Sequence, residues 1–331
     1  MGVLIMASAK AKRPIVTVIT PVFNETGNLA RYEQSVSETL LQCPDIDFRV
    51  LFVDDGSSDG SWKMIQEMCA RDSRFQGMRL SRNFGPHAAL CAGLQHADGD
   101  AVAILACDLQ DPPDVVLDFV ARWRQGAKIV WGKRRTRTDS WWRKKASAFF
   151  EGMLRRYAMP PGSLFTTGSF LLMDRKVLEC YKKFQEGNRI TFALVAWTGF
   201  DQAVVEYDRK ARQAGKSSWG LSRLVKAAYD AFLSFSRVPF GALTALGVGL
   251  FLCSIVLSIY LVLCYISGDP KPGWVSIMLV LSFFFGMHFV FMSVQGEYLA
   301  RIYSESVRRP MYLISDQTAP DAAEEPTREA A

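Results

Sequence analysis

The sequence predicts a doubly wound α/β domain, followed by an amphipathic helix and a two-helix transmembrane hairpin. Three observations predict it. Short apolar runs alternate with helical patterns over the first half of the chain. Acidic clusters stand directly after three of those runs. Two long segments near the C-terminus carry almost no charge. The 331 residues, 49% hydrophobic and 22% charged, average out as an ordinary soluble enzyme. The average conceals the separation between a polar half and an apolar one.

Residues 1–13 form a short N-terminal segment, too brief for the core of a secretory signal. From residue 14 the alternation begins. Ile15 to Thr20 is a β-branched run, and Asn28 to Leu41 is helical in pattern. Phe48 to Val53 is a second strand, halted by Asp54-Asp55-Gly56. A helix spans Ser61 to Arg71, with Ser58 or Asp59 as its cap. Phe75 to Leu80 reads as a third strand, Gly85 to Ala97 as an Ala-rich helix, and Ala101 to Ala106 as a central buried strand. Pro112-Pro113 opens another helix, and Ala127 to Trp131 is a further strand. Strict βα alternation implies a doubly wound, Rossmann-like sheet, with ligands at the carboxyl ends of its strands. Asn24-Glu25, Asp54-Asp55 and Asp108-Leu-Gln-Asp111 fall there.

The absent motifs narrow the chemistry. No GxGxxG or GxxxxGK[ST] occurs, which removes the main support for dinucleotide and P-loop sites. Seven Cys without CxxC spacing, with three His, exclude a disulfide scaffold and disfavour zinc. A carboxylate can accept hydrogen bonds from a base or ribose, and Asp with Gln can hold a hard cation against a diphosphate.

The domain is expected to cover residues 14–217. Residues 218–237 repeat Leu221, Leu224, Val225, Ala228, Phe232 and Phe235 at helical spacing, as for a helix lying on a membrane surface or packed on the α/β domain. Residues 238–267 contain no charged side chain, and 274–297 reach Gln295 broken only by His288. Each exceeds the ~20 apolar residues that span a bilayer. The turn-rich 268–273 link makes them an antiparallel hairpin. Arg223, Lys226 and Arg237 precede the hairpin and Arg301, Arg308 and Arg309 follow it, against Lys271 in the link. This asymmetry predicts a multi-pass protein of the inner (plasma) membrane, with an external link and both termini cytoplasmic. Residues 298–315 would be a juxtamembrane segment and 316–331 a disordered tail.

Pro21-Val-Phe-Asn-Glu25, Val53-Asp-Asp-Gly-Ser-Ser-Asp59, Arg82-Asn-Phe-Gly85 and Asp108-Leu-Gln-Asp-Pro-Pro113 resemble the signatures of family 2 glycosyltransferases of the GT-A fold. Trp142-Arg-Lys-Lys-Ala-Ser147 and Arg212-Gln-Ala-Gly-Lys-Ser217 narrow the resemblance to polyprenyl-phosphate glycosyltransferases, the group of dolichol-phosphate mannose synthase and its bacterial undecaprenyl-phosphate relatives. It covers about residues 14 to 312. The resemblance implies that Pro21, Phe23, Glu25, Val53 and Asp55 line the nucleobase and ribose pocket of a UDP- or GDP-linked sugar. It implies that Asp108 and Gln110 approach the diphosphate and a divalent cation, Mg2+ or Mn2+. It further implies that Arg134, Arg143, Ser147 and Arg212 surround the lipid and donor phosphates, and that copies associate through the membrane helices. Three departures stand out. Ala106-Cys107-Asp108 lacks the first carboxylate of the usual Asp-x-Asp, which leaves open whether the cation is required. Gly215-Lys-Ser-Ser218 replaces Gly-x-Ser-Lys, so that Lys216 supplies the charge from a neighbouring position. Gly168-Ser-Phe170 replaces Gly-Asp-Phe.

The chemistry suits the residues. A phosphate monoester is ionised near neutral pH and needs no strong general base. The difficulty is bringing two anions together, and Arg binds phosphate oxygens bidentately with a permanent charge. From Arg122 to Arg156 there are 12 Lys or Arg against two acids, a local +10 beside the +6 of the whole chain. Trp131, Trp141 and Trp142 interleave it, as at a membrane interface, so the basic run reads as a lipid-phosphate and bilayer surface and not as a nucleic-acid site. The expected reaction is an inverting transfer of sugar from the nucleotide to the polyprenyl phosphate at the cytoplasmic face, for glycan modification of the cell envelope. A polysaccharide synthase of the same fold would carry QxxRW, and Arg122-Trp123 has Phe119 where Gln would stand. A non-catalytic scaffold is the third reading, with Ala106 its sole support.

Overall fold

The computed structural model describes residues 13–135, 152, 170–184, 186, 191–209, most of 246–267, 273–307 and 309–318. The chain divides into two compact units. One holds Met1–Arg155, Met159–Gly220 and Pro310–Ala331, and the other holds Arg156–Ala158 and Leu221–Arg309.

The first unit is built on an eight-stranded sheet. Its elements run β1 (Ile15–Val22), α1 (Thr26–Thr39), β2 (Asp47–Asp54), α2 (Ser61–Arg71), β3 (Phe75–Leu80), α3 (Pro86–His96), β4 (Ala101–Ile104), α4 (Val115–Arg124) and β5 (Ile129–Arg134). They continue with β6 (Leu171–Asp174), α5 (Arg175–Lys182), α6 (Thr191–Trp197), β7 (Gln202–Tyr207) and, after the second unit, β8 (Ile314–Gln317). The strand order is β7-β5-β6-β4-β1-β2-β3-β8. The strands and helices expected up to Trp131 all form, with ends displaced by a few residues. Their apolar faces close over the sheet. Tyr32, Phe48, Phe52 and Phe119 are fully or almost fully buried, as alternation on β2 and the helical stripes of α1 and α4 require.

The expected α/β alternation forms, and the sheet it builds is mixed. β6 lies antiparallel between β4 and β5, and β8 lies antiparallel on the outer edge of β3. β6 is four residues, all buried, and its apolar run carries no local mark of direction. β5 and β4 each oppose β6, so β5 runs in the same direction as β4. β7 is parallel to β5. The carboxyl ends of β1, β2, β3, β4, β5 and β7 therefore share one edge of the sheet.

Two boundaries also change. The tail expected to be disordered from Asp316 begins inside β8, where Asp316 pairs with Arg79 and Gln317 with Met78. The α/β domain is thus discontinuous in sequence: it ends not at 217 but on a strand that returns to it. In the second unit, described residues between 246 and 266 are helical. A 34-residue helix, α7, runs Trp274–Val307, ten residues past the expected end at 297. Among the described residues no helix is long and apolar enough to cross a membrane. The amphipathic helix expected over 218–237 and the link 268–272 lie outside the described residues.

Candidate active site

The shared sheet edge gathers the loops that the sequence singled out. Pro21 and Val53 are register partners on β1 and β2, so two of the predicted pocket residues are adjacent. The next residues are locked by backbone and side-chain bonds. Asp55 N donates to Val22 O at 2.8 Å. Asn24, held at φ +54°, donates its N–H to Ser57 Oγ and accepts from Ser58 N. Glu25 N donates to Ser61 Oγ at 2.9 Å, and its carboxylate accepts from Asn28 Nδ2. Phe23 keeps 44% of its surface exposed, as a ring available for stacking requires.

Asp54 and Asp55 divide their work. Asp54 is fully buried, and its Oδ2 accepts from Ser57 N and faces Arg79 Nε at 3.3 Å. Asp55 accepts from Phe84 N at 2.8 Å through Oδ1 and from Gly85 N at 2.9 Å through Oδ2. Its carboxylate thereby fixes the Arg82-Asn-Phe-Gly85 loop while retaining lone pairs for a further donor. Burial pushes both carboxyls above the usual aspartate range, against the hydrogen bonds that lower them. The turn between them and the loop is tight. Gly56 has φ +69°, and a Cβ there would stand 2.5 Å from the Arg82 carbonyl carbon. On the loop itself the Arg82 guanidinium stacks over the Phe84 ring at 4.0 Å.

After β4, Leu109 adopts φ +51°, and Gln110 N donates to Asp108 Oδ1 at 3.2 Å. This turn sets Asp108 and Gln110 together at the loop's head. Among the described residues no group of three His, Cys, Asp or Glu is placed to hold a metal. One carboxylate with an amide does fit the mode in which Mg2+ keeps its waters and completes its shell with substrate phosphates. Cys107 is 3% exposed, and burial pushes its thiol far up, so it fills space at the strand end as a neutral group.

Arg134 ends β5 directly across from Tyr207 on β7, and its positive charge works against the upward shift of the Tyr207 hydroxyl. Sequence reasoning missed Tyr207 and its partners. Tyr207 OH donates to Asp111 Oδ1 at 2.6 Å, and Arg209 Nε stands 3.2 Å from the same oxygen. Burial, reinforced by Asp111, pushes the Tyr207 hydroxyl up to about 12, so it remains a donor. Only the Asp of Gln110-Asp-Pro-Pro, one residue past the expected cation position, could have pointed to it. Arg143, Ser147, Arg212 and Lys216 lie outside the described residues. Trp131 departs from the interface reading: it is fully buried, and its Nε1 donates to Gln202 Oε1.

Carboxylates, an exposed phenylalanine ring and arginines thus stand along one strand edge of an α/β mixed sheet. Residues 17–182 match the model of Glycosyl transferase family 2. An uncharacterized glycosyltransferase of Synechocystis sp., sll0501, is 36% identical over 91% of this chain and 94% of its own. The bactoprenol glucosyl transferase of Shigella phage SfV is 32% identical over 91% of this chain and 98% of its own. Among solved structures, a Pyrobaculum calidifontis mannosyltransferase in complex with GDP-Man and Mn2+ aligns at 20% identity. It covers 73% of this chain and 81% of its own, with a TM-score of 0.42. The chain belongs to glycosyl transferase family 2 and is a glycosyltransferase with an α/β fold.

Proposed function

We propose that the protein transfers a sugar from a nucleotide-sugar to a polyprenyl phosphate at the cytoplasmic face of the plasma membrane, with inversion at the anomeric carbon. The observation that carries the reading is the near end-to-end match to a protein named bactoprenol glucosyl transferase, which reaches past the α/β domain into the apolar C-terminal part. The apolar part supports it independently. In the sequence, the run from Trp274 to Gly296 holds no Asp, Glu, Lys or Arg, and it meets the ~20 apolar residues that a span is expected to need. Ile277, Leu281, Phe283, Phe285 and Phe289 are exposed along it, as lipid-facing side chains would be.

In this reading Pro21, Phe23, Glu25, Val53 and Asp55 hold the nucleoside, which is UDP- or GDP-type. Asp108 and Gln110 would hold a divalent cation, which would supply positive charge beside the diphosphate. Arg134, with Arg143, Ser147, Arg212 and Lys216, binds the lipid phosphate. The acceptor oxygen is already anionic and attacks directly, and the nucleoside diphosphate leaves as a dianion or trianion without a covalent sugar–enzyme stage. Incubation of the purified, lipid-reconstituted chain with a panel of UDP- and GDP-sugars and undecaprenyl phosphate, read by mass spectrometry of the organic phase, is expected to yield one sugar-phosphate lipid. A folded preparation that makes none across the panel, or that makes an aqueous polymer instead, would overturn the reading.

A further inference from the structure

Asp111, Tyr207 and Arg209 have no part in the scheme above, yet they are among the most constrained side chains at the sheet edge. Asp111 is 1% exposed and Tyr207 6%. The Tyr207 ring packs edge-on against Phe170 and is closed from below by Gly132, where a Cβ would meet both rings at 3.0 Å. Its hydroxyl is thereby aimed at Asp111 Oδ1, which also lies 3.2 Å from Arg209 Nε. Arg209 keeps 30% of its side chain exposed, so it is held at one end and open at the other. Arg134 is the register partner of the same tyrosine on β5. One buried carboxylate, three residues along the chain from Asp108, therefore pairs with Arg209, which lies three residues before Arg212. Burying a carboxylate is costly unless it is paired. A neutral side chain would fill the same space, but only the charge fixes a guanidinium.

We propose that Arg209 is a further phosphate-binding residue of this site and that Asp111 is the positioning residue that holds it, tying the Asp108–Gln110 loop to the end of β7. The inference rests on the proposed polyprenyl-phosphate reaction. It is tested in the full-length, lipid-reconstituted chain with Arg209→Ala, Arg209→Lys, Asp111→Asn, Tyr207→Phe and the Asp111→Asn/Arg209→Ala double variant. Donor and acceptor are varied separately, and thermal melting is recorded for each. Arg209→Ala and Asp111→Asn are expected to lower kcat/KM for the lipid phosphate by about 10- to 100-fold, the scale of one charge-assisted bond. Arg209→Lys should recover part of the loss, and Tyr207→Phe, which leaves the ion pair, should lose less. The double variant should be no worse than Arg209→Ala alone, because the two act as one unit. Wild-type kinetics in Asp111→Asn, additive losses in the double variant, or losses that follow the melting temperatures would overturn the assignment. A wild type that transfers no sugar to lipid phosphate overturns the functional reading and this inference with it. Transfer by the wild type together with an unaffected Asp111→Asn overturns the inference alone.

Discussion

At the scale of single residues, the site depends on side chains that shape backbone as much as on those that meet substrate. Gly56 allows Asp55 to turn back onto Phe84 and Gly85. Gly56→Ala forces a left-handed alanine against the Arg82 backbone, and the expected cost is about 2 kcal/mol or more from strain and overlap together. The melting temperature should fall by several degrees and nucleotide binding, measured by calorimetry, should weaken; an unchanged melt would refute the close approach. Asp174 offers a residue-scale test in pH. Burial raises its carboxyl, but Trp123 Nε1, Lys128 Nζ and Lys176 N all donate to it and hold it below the usual range. A depressed folded value means that its stabilisation is complete above the unfolded value of about 3.9 and is lost as pH falls through the folded one. Asp174→Asn should therefore be less stable than wild type at pH 7 by about 1–3 kcal/mol. The gap should narrow below about pH 4 in urea titrations. A gap that stays constant from pH 7 to pH 3 would show that the charge is not what stabilises.

At the scale of elements, β8 is the least expected part of the fold and the easiest to remove. It covers the outer edge of β3. Thr318 N donates to Gly77 O, Gly77 N donates to Thr318 Oγ1, and Ser81 N donates to Leu313 O. Truncation after Arg309 exposes those groups, and an uncovered edge is a template for association. The truncated protein should melt lower and aggregate on concentration in size-exclusion chromatography, whereas a monodisperse product of unchanged melt would show that β8 contributes nothing. The sequence made the β1–β5 half legible because each strand there is bounded by a turn cluster and followed by a helix of the right period. β6 and β8 were not legible: β4, equally short, stands between two helices of clear period, whereas β6 and β8 fall outside that run of βα repeats and nothing nearby reveals their direction or partner. Likewise the loops after β1, β2 and β4 could be placed from their acids and turns. Asp111 and Tyr207 could not be joined, because 96 residues separate them and only the mixed sheet brings them together.

At the scale of the whole molecule, charge is organised by where it is left unmatched. The basic run from Arg122 to Arg156 reads as +10 in sequence, yet three of its members are matched by acids, one part-buried and two at the surface. Lys128 pairs with Asp174 and Lys133 with Glu206, both at 2.9 Å, and Arg135 pairs with Asp208 at 3.5 Å. What remains for anionic lipid and phosphate is smaller and more focused than the raw count. The same weighing of charge against position predicts the topology: basic residues flank both ends of the apolar segments, and Lys271 alone sits between them. If the two segments form a hairpin anchored from the cytoplasm, Lys271→Cys should react with a membrane-impermeant maleimide added to intact cells. Cysteines placed at Lys10 or Thr327 should react only after the membrane is opened or inverted, and the seven native cysteines give the background to subtract. Labelling of both termini from outside would reverse the orientation and place the nucleotide site away from the cytoplasmic pool of nucleotide-sugars. Equal labelling of all three positions in inverted vesicles would mean that the apolar segments do not span, and α7 would then need another partner for its exposed phenylalanines.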